Sequence, residues 1–223
     1  MIFFMIRTLV IASHPSYDDS LSQRFFSESA KMPNVSVHML DKVEGDFDLE
    51  IELERLQTID RLIFQFPLYW YQVPAKMKCW IDTVWEAAKP YLLNKEIGFA
   101  LSTGVAAKEF QLGGKEGASF SEILRPLTLM AQKYQMTILP VLVLDQLMYK
   151  TEKEKRRFVI DYQQLLTMEA PFSFAAKQQW FIQRLEALTA ENPKLAPLLD
   201  QLIQNQETLL ELDEALAEME AYE

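Results

Sequence analysis

The sequence predicts a doubly wound α/β fold, with a five-stranded parallel sheet, helices on both faces and an extra C-terminal helical segment. Short apolar runs alternate with longer amphipathic stretches along most of the chain, as in parallel strands joined by crossover helices. The 223 residues are 49% hydrophobic and 24% charged. That composition is typical of a globular protein and excludes a disordered one.

Five apolar runs are predicted strands, and the stretches between them are predicted helices. The strands are 8–13, 35–40, 62–66, 97–102 and 137–144. The helices, 21–31, 49–59, 75–88 and 120–134, carry apolar residues three and four positions apart, as packing on a sheet requires. Ligands of such sheets bind outside the carboxyl ends of the strands. Functional residues are therefore expected in the loops after Ser13, Phe66 and Ser102.

The apolar run at the start of the chain is predicted to be the first buried strand and not a secretory leader. Arg7 interrupts it, no basic segment precedes it and no small-residue cleavage site follows it. No other segment supplies the roughly 20 apolar residues of a membrane-spanning helix. A single cysteine, Cys79, excludes a disulfide framework and is predicted to pack in the interior. We therefore expect a cytoplasmic protein.

The end of the chain is strongly acidic. Residues 191–223 hold nine acidic residues and one lysine, a net charge of −8 out of −10 for the whole chain. No basic face for nucleic acid is apparent, and no metal site is expected. Asn192 and Pro193 are typical of a helix start, and leucines follow at helical spacing. We predict a domain over 1–190 and a helical extension over 191–223. The extension either packs on its own domain or a dimer mate, or it binds a partner.

Three consecutive aromatic residues, Tyr69, Trp70 and Tyr71, lie between Pro67 and Pro74 in the connection after the third strand. Exposed rings of this size are costly to solvate unless something covers them, and a flat ligand would do so. The helix predicted from residue 75 directs its positive N-terminus at the same crevice. The alternative is a dimer contact or an aromatic plug in the core.

This segment resembles the flavin-binding segment of the flavodoxin-like NAD(P)H:quinone oxidoreductases. That family includes DT-diaphorase, the drug-activity modulators and the ancillary flavoproteins of glutathione-gated potassium efflux systems. The resemblance covers about residues 7–187 and implies a flavodoxin-like fold. It also implies that one segment contacts the isoalloxazine ring. The residues of this segment are Pro67, Leu68, Tyr69, Trp70 and Tyr71.

Two further loops carry the resemblance. The loop after the first strand, residues 13–23, is similar to the family's phosphate loop, and Ser20 is the principal candidate donor. The loop after the fourth strand is similar to the family's T-T-G-G loop, which approaches the pyrimidine side of the flavin. We assume that Asp18 and Asp19 face solvent, because they would repel a phosphate. The residues implied to bind the cofactor in these loops are His14, Ser20, Leu21, Ser22, Gln23, Thr103, Gly104 and Val105.

The resemblance implies a tightly bound FMN or FAD and a homodimer with its sites near the interface. Hydride would pass from NAD(P)H to flavin N5 and then, in a ping-pong cycle, to quinones or related electrophiles. Trp70 and Tyr71 are expected to form part of the pocket floor. Lys108 or Lys115 is the nearest candidate for charge compensation, because Phe110 stands where some relatives have tyrosine and no histidine follows. The alternative is that both are solvated loop lysines.

Two alternatives stay open. One is a regulatory flavoprotein that binds a membrane ion-efflux system, and the other is a flavin-free binding module. Val105 in place of the second glycine, Phe110 and the short link 86–96 leave the substrate preference open. The glycine-rich segment 111–117 is either a lid over the flavin or an inert loop.

Overall fold

The structure is a computed structural model and describes residues 6–220. Its sheet contains strands β1 Thr8–Ala12, β2 Val35–Met39, β3 Arg61–Pro67, β4 Glu96–Thr103, β5 Thr137–Ile138 and β6 Leu142–Asp145. All pairings are parallel, and the order is β2-β1-β3-β4-β5, with β6 also beside β4. The predicted doubly wound sheet is confirmed. Residues 1–5 of the predicted first apolar run lie outside the described part of the chain.

The predicted fifth strand is divided in two. Both halves of 137–144 pair with β4, but Pro140 lies between them. The Leu139 N–H donates to the Ile97 carbonyl at 2.8 Å, whereas Pro140 has no N–H to continue the ladder. Residues 137–138 and 142–145 are therefore separate strands in one line.

Seven helices connect and cover the strands of the described sheet: α1 Leu21–Ser29, α2 Leu49–Gln57, α3 Ala75–Val84, α4 Lys89–Leu92, α5 Phe120–Ile123, α6 Arg125–Lys133 and α7 Glu152–Thr167. The predicted helix 120–134 is interrupted at Leu124, because Pro126 cannot donate the backbone bond that would continue α5. Helix α7 was not predicted. It begins at a capping box in which the Thr151 N–H donates to the Glu154 carboxylate at 2.8 Å.

The helices form two layers around the sheet. Phe26 of α1 packs edge-on against Phe158 and Tyr162 of α7. The other layer adds Leu56 and Trp80, among others, to a core cluster with the sheet. The buried face of helix α3 is formed by residues 77, 80, 81 and 84. Cys79 lies outside this face and is exposed. The prediction that Cys79 packs in the interior is wrong.

The chain divides into two compact units, one ending at Thr167 and the other beginning at Met168. The second unit contains α8 Phe174–Glu191 and α9 Ala196–Glu220, which pack against each other. This division differs from the predicted 1–190 and 191–223, because α8 belongs with α9. The Asn192 side chain accepts from the Lys194 N–H at 3.3 Å, as its predicted capping role requires. No helix within residues 6–220 is both long and apolar enough to cross a membrane.

Candidate functional site

A cavity of about 440 Å³ opens at the carboxyl edge of the sheet, where β1, β3, β4 and β6 end. In a doubly wound sheet this edge is the expected ligand site. Nine of the predicted cofactor contacts line the cavity, and they come from three separate loops: His14, Ser20, Leu21, Ser22, Pro67, Leu68, Tyr69, Thr103 and Gly104.

The start of α1 forms one end of the cavity. The Ser20 hydroxyl caps the helix by accepting from the Gln23 N–H at 3.3 Å, and it lies 3.0 Å from the Ser22 hydroxyl. The first N–H groups of a helix have no partner within it and carry partial positive charge. Together with the two hydroxyls, they form a donor set suited to a phosphate group.

Asp19 lines the same end of the cavity and, like Asp18, is exposed to solvent. Asp19 ends the short turn directly before α1, which places it beside Ser20. Asp18 is exposed, and its carboxylate lies 3.9 Å from Lys42 Nζ. The described lining contains no lysine or arginine. A phosphate would thus depend on neutral donors and the helix dipole, against the charge of Asp19.

His14 is buried at the edge of the cavity, and its ring has a defined tautomer. Its Nδ1 accepts from the Ser16 N–H at 3.0 Å, and its own backbone N–H donates to Asp41 at 2.6 Å. Because the accepting nitrogen carries no proton, the neutral ring holds its proton on Nε2. This atom lies 3.3 Å from the Tyr69 hydroxyl, and the two rings meet edge to face. His14 therefore links the phosphate loop to the aromatic segment.

Acidification is expected to break the hydrogen bond from the Ser16 N–H to His14, because Nδ1 cannot accept once it is protonated. Burial lowers the pKa of His14 below its usual 6.5, although Asp41 opposes the shift. The unfolded chain then binds the proton at a higher pH than the folded protein, so stability falls as pH drops through 6.5. We expect a decrease on the order of 1 kcal/mol or less between pH 7.5 and 5.5, measured by urea unfolding. In His14→Asn, whose carbonyl still accepts from Ser16, the unfolding free energy should lack this part of the pH slope; an unchanged slope would contradict the assignment.

The aromatic segment forms a tight turn at the cavity rim. The Gln72 N–H donates to the Tyr69 carbonyl at 3.0 Å, and both central residues have positive φ, 49° at Trp70 and 61° at Tyr71. This region is unfavourable for bulky residues, and such strain is concentrated at functional sites. The side chains of Tyr69, Trp70 and Tyr71 are 48%, 91% and 41% exposed. An aromatic plug in the core is therefore excluded.

Only one of the three rings lines the cavity. Trp70 lies at the tip of the turn in solvent, so neither it nor Tyr71 forms the expected pocket floor. Tyr71 instead borders a separate apolar hollow of about 80 Å³ and donates to Glu116 at 2.8 Å. This hydrogen bond raises the pKa of Tyr71. The segment 111–117 thus lies beside Tyr71, and no residue of it lines the cavity.

The loop after β4 leaves room for a ligand at Gly104. A Cβ built on Gly104 would meet no protein atom within 4 Å, although this residue lines the cavity. The Val105 N–H donates to the Thr103 hydroxyl at 3.1 Å, so it is not directed at the cavity as the resemblance implied. Lys108 is exposed outside the lining, and buried Phe110 stacks on Phe120. Neither side chain lines the cavity.

A buried polar chain lies beneath the cavity. The Tyr162 hydroxyl donates to Gln65 at 2.6 Å, and the Gln65 amide donates to the Gln23 carbonyl oxygen at 2.8 Å. Burial raises the pKa of Tyr162. Gln23 was predicted to bind the cofactor, but its side chain belongs to this buried hydrogen-bond network and does not line the cavity. Gln23 Nε2 and Ser13 Oγ are among the buried side-chain atoms of the described residues that have no hydrogen-bond partner.

The loop after β6 supplies a wall that the sequence analysis missed. The cavity lining includes Gln146, Leu147, Met148 and Tyr149. The signal was available, because the carboxyl end of every strand in a parallel sheet reaches the same edge. The predicted fifth strand ends at residue 144, and the loop that follows it was not one of the three loops expected to carry function.

Comparison with known proteins places this site in a family. A sequence profile of proteins with a flavodoxin-like fold matches residues 6–166. The chain belongs to this flavodoxin-like family. An uncharacterized NAD(P)H oxidoreductase, YrkL of Bacillus subtilis, is 33% identical over 144 residues, covering 60% of this chain and 83% of that protein. The glutathione-regulated potassium-efflux ancillary protein KefG of Cronobacter sakazakii is 32% identical over 139 residues, 58% of this chain and 76% of that protein.

Solved structures of the flavodoxin-like family are similar in fold. An NADPH-quinone reductase from P. pentosaceus matches with a TM-score of 0.68 and 35% identity, covering 74% of this chain and all of that one. General stress protein 14 of Treponema denticola, solved in complex with FMN, matches with a TM-score of 0.62 and 28% identity, covering 70% and 95%. The predicted family resemblance is confirmed.

Proposed function

We propose that this protein is an FMN-dependent NAD(P)H oxidoreductase that reduces quinones or related electrophiles. The observation that carries the proposal is the convergence of three loops, after β1, β3 and β4, on one cavity. The similarity to an NADPH-quinone reductase and to a protein solved with FMN supports it. FMN is favoured over FAD because FMN is the flavin of that neighbour.

The residues present fit a flavin mononucleotide. The Ser20 and Ser22 hydroxyls and the first N–H groups of α1 would hold its phosphate. Leu68 and Tyr69 would lie against the ring, and the open space at Gly104 would admit the ring edge. When bound, FMN would supply the chemistry of accepting a hydride and passing on two electrons.

The overall reaction is NAD(P)H + H⁺ + quinone → NAD(P)⁺ + hydroquinone, which moves two electrons and two protons. The chain contributes orientation of the reactants and exclusion of water. His14 Nε2–H can donate to the Tyr69 hydroxyl, which leaves the tyrosine proton free to donate into the cavity. Asp19 is the one acidic or basic side chain, His14 aside, among the described residues that line the cavity.

The colour of the purified protein tests the proposal. The protein should be yellow from a bound flavin, and NADPH should bleach the colour before menadione restores it. Mass identification of the compound released on heating should give FMN. A colourless protein that also rejects added FMN and FAD would overturn the proposal in favour of a flavin-free binding module.

A regulatory flavoprotein is the second candidate, and the similarity to KefG favours it. Under this reading the important act is binding to a membrane ion-efflux system. Flavin would then bind, but nicotinamides would reduce it slowly or not at all. The rate of bleaching by NADH and NADPH separates the two candidates.

We also propose a homodimer, which rests on the family resemblance. Light scattering of the purified protein should then give about twice the chain mass of 25.9 kDa. A mass equal to one chain at micromolar concentration would contradict it.

A further inference from the structure

The turn after β6 presents two large apolar side chains at the mouth of the cavity. Met148 is 71% exposed and Tyr149 is 84% exposed, and both line the cavity. A thioether and a phenol ring are suited to contact with flat aromatic groups. Exposed apolar surface at a cavity rim marks a binding surface more often than surface scattered singly.

The backbone of this turn is fixed at both ends. The Gln146 N–H donates to the Thr103 carbonyl at 2.9 Å. The Asp145 carboxylate accepts from the Ala107 N–H at 2.9 Å and pairs with Lys150 at 2.5 Å. Gln146 also has a φ of 43°, in the left-handed region that is unfavourable for residues other than glycine. A turn held in this way fixes the backbone that carries Met148 and Tyr149 before a ligand binds, which lowers the entropic cost of binding.

The turn lies one strand beyond the loops that fit the cofactor. Those loops follow β1, β3 and β4, whereas β6 is the next neighbour of β4, about 4.8 Å further along the sheet. The residues that the β6 end adds to the lining are Leu144, Gln146, Leu147, Met148 and Tyr149, all uncharged. This surface favours an uncharged flat ring over an anion.

We infer that Met148 and Tyr149 form the binding surface for the electron acceptor, and that this acceptor is an uncharged flat ring of the quinone class. The inference rests on the proposed function. It adds an acceptor subsite to the cofactor site, at residues outside the three loops that carry the family resemblance.

The test uses the FMN-loaded full chain and the variants Tyr149→Ala, Met148→Ala and Tyr149→Phe. Menadione serves as the flat acceptor, and ferricyanide serves as an acceptor without a ring to stack. Tyr149→Ala should raise the KM for menadione about 5–20-fold, as expected for loss of a ring contact and its buried area. Met148→Ala should raise it less, and Tyr149→Phe should stay within twofold. In Tyr149→Ala, turnover with ferricyanide and the Kd for FMN should each change by less than the KM for menadione.

A calorimetric titration of menadione into the oxidised protein, without nicotinamide, gives a readout that needs no turnover. Its Kd should rise with the same ratio in Tyr149→Ala. Leu93→Ala, at an exposed leucine before the opposite end of β4, is the matched control and should change neither value. An unchanged menadione Kd, or a loss of FMN affinity equal to the loss of menadione affinity, would overturn the inference. Failure of NADPH to bleach the wild type would instead count against the proposed function.

Discussion

Replacing Gly104 by valine should abolish FMN binding while leaving the folded protein as stable as the wild type. A Cβ at this position meets no protein atom within 4 Å, and its backbone is not in the left-handed region, so the side chain fits the protein alone. The added methyl groups would instead occupy the cavity, where we propose the flavin ring approaches the backbone. We expect the Kd for FMN to rise at least about 100-fold, or about 2.7 kcal/mol.

Titration of the apo-protein with FMN, followed by flavin fluorescence, measures this effect, and urea unfolding measures stability. Gly104→Ala should give a smaller loss, because it adds only the first carbon. Ala106→Val is the matched control, since it places the same side chain two residues away and outside the cavity lining. If Gly104→Val bound FMN as tightly as the wild type, the ring could not lie against this loop, and the cavity would need another ligand.

The sequence predicts those site residues whose position follows from the end of a strand. His14, Tyr69 and Gly104 come within a few residues of buried apolar strands, and in a parallel sheet those ends share one edge. The sequence could not predict which of three adjacent rings would face the cavity. That choice depends on the positive φ angles at Trp70 and Tyr71, which rotate two of the rings outward.

The limits of prediction for the fold also come from particular residues. Apolar runs locate β1, β3 and β4 because these strands are buried on both faces and need little else to define them. Pro140 breaks the fifth strand by removing one donor, a local effect that an apolar run does not reveal. Helix α7 is rich in charge over its first turns, which hides its apolar stripe, although the Thr151–Glu154 capping box was readable.

Replacing Glu52 by alanine should cause the largest loss of stability, about 3–5 kcal/mol. Glu52 of α2 is buried and accepts from Trp80 Nε1–H at 2.7 Å, and its other oxygen lies 2.9 Å from His38 Nε2. Arg55 lies 3.9 Å away. Removing the carboxylate leaves the buried indole N–H without an acceptor and the buried His38 without its partner, and burial prevents water from replacing either bond. The urea midpoint of the apo-protein measures the loss.

Two controls assign this loss to the network and not to the helix. Glu54→Ala, at an exposed position of α2, should change the unfolding free energy by less than about 0.5 kcal/mol. Glu52→Gln keeps the volume and one acceptor, so its loss should be intermediate.

Burial alone would raise the pKa of Glu52, but the hydrogen bonds from His38 and Trp80 outweigh it and lower the pKa below 4.5. The ionised carboxylate therefore stabilises the fold above pH 4.5, and this contribution is lost as pH falls through the lowered pKa. The difference between wild type and Glu52→Ala should narrow over that range, and a constant difference would show that packing, not charge, is responsible.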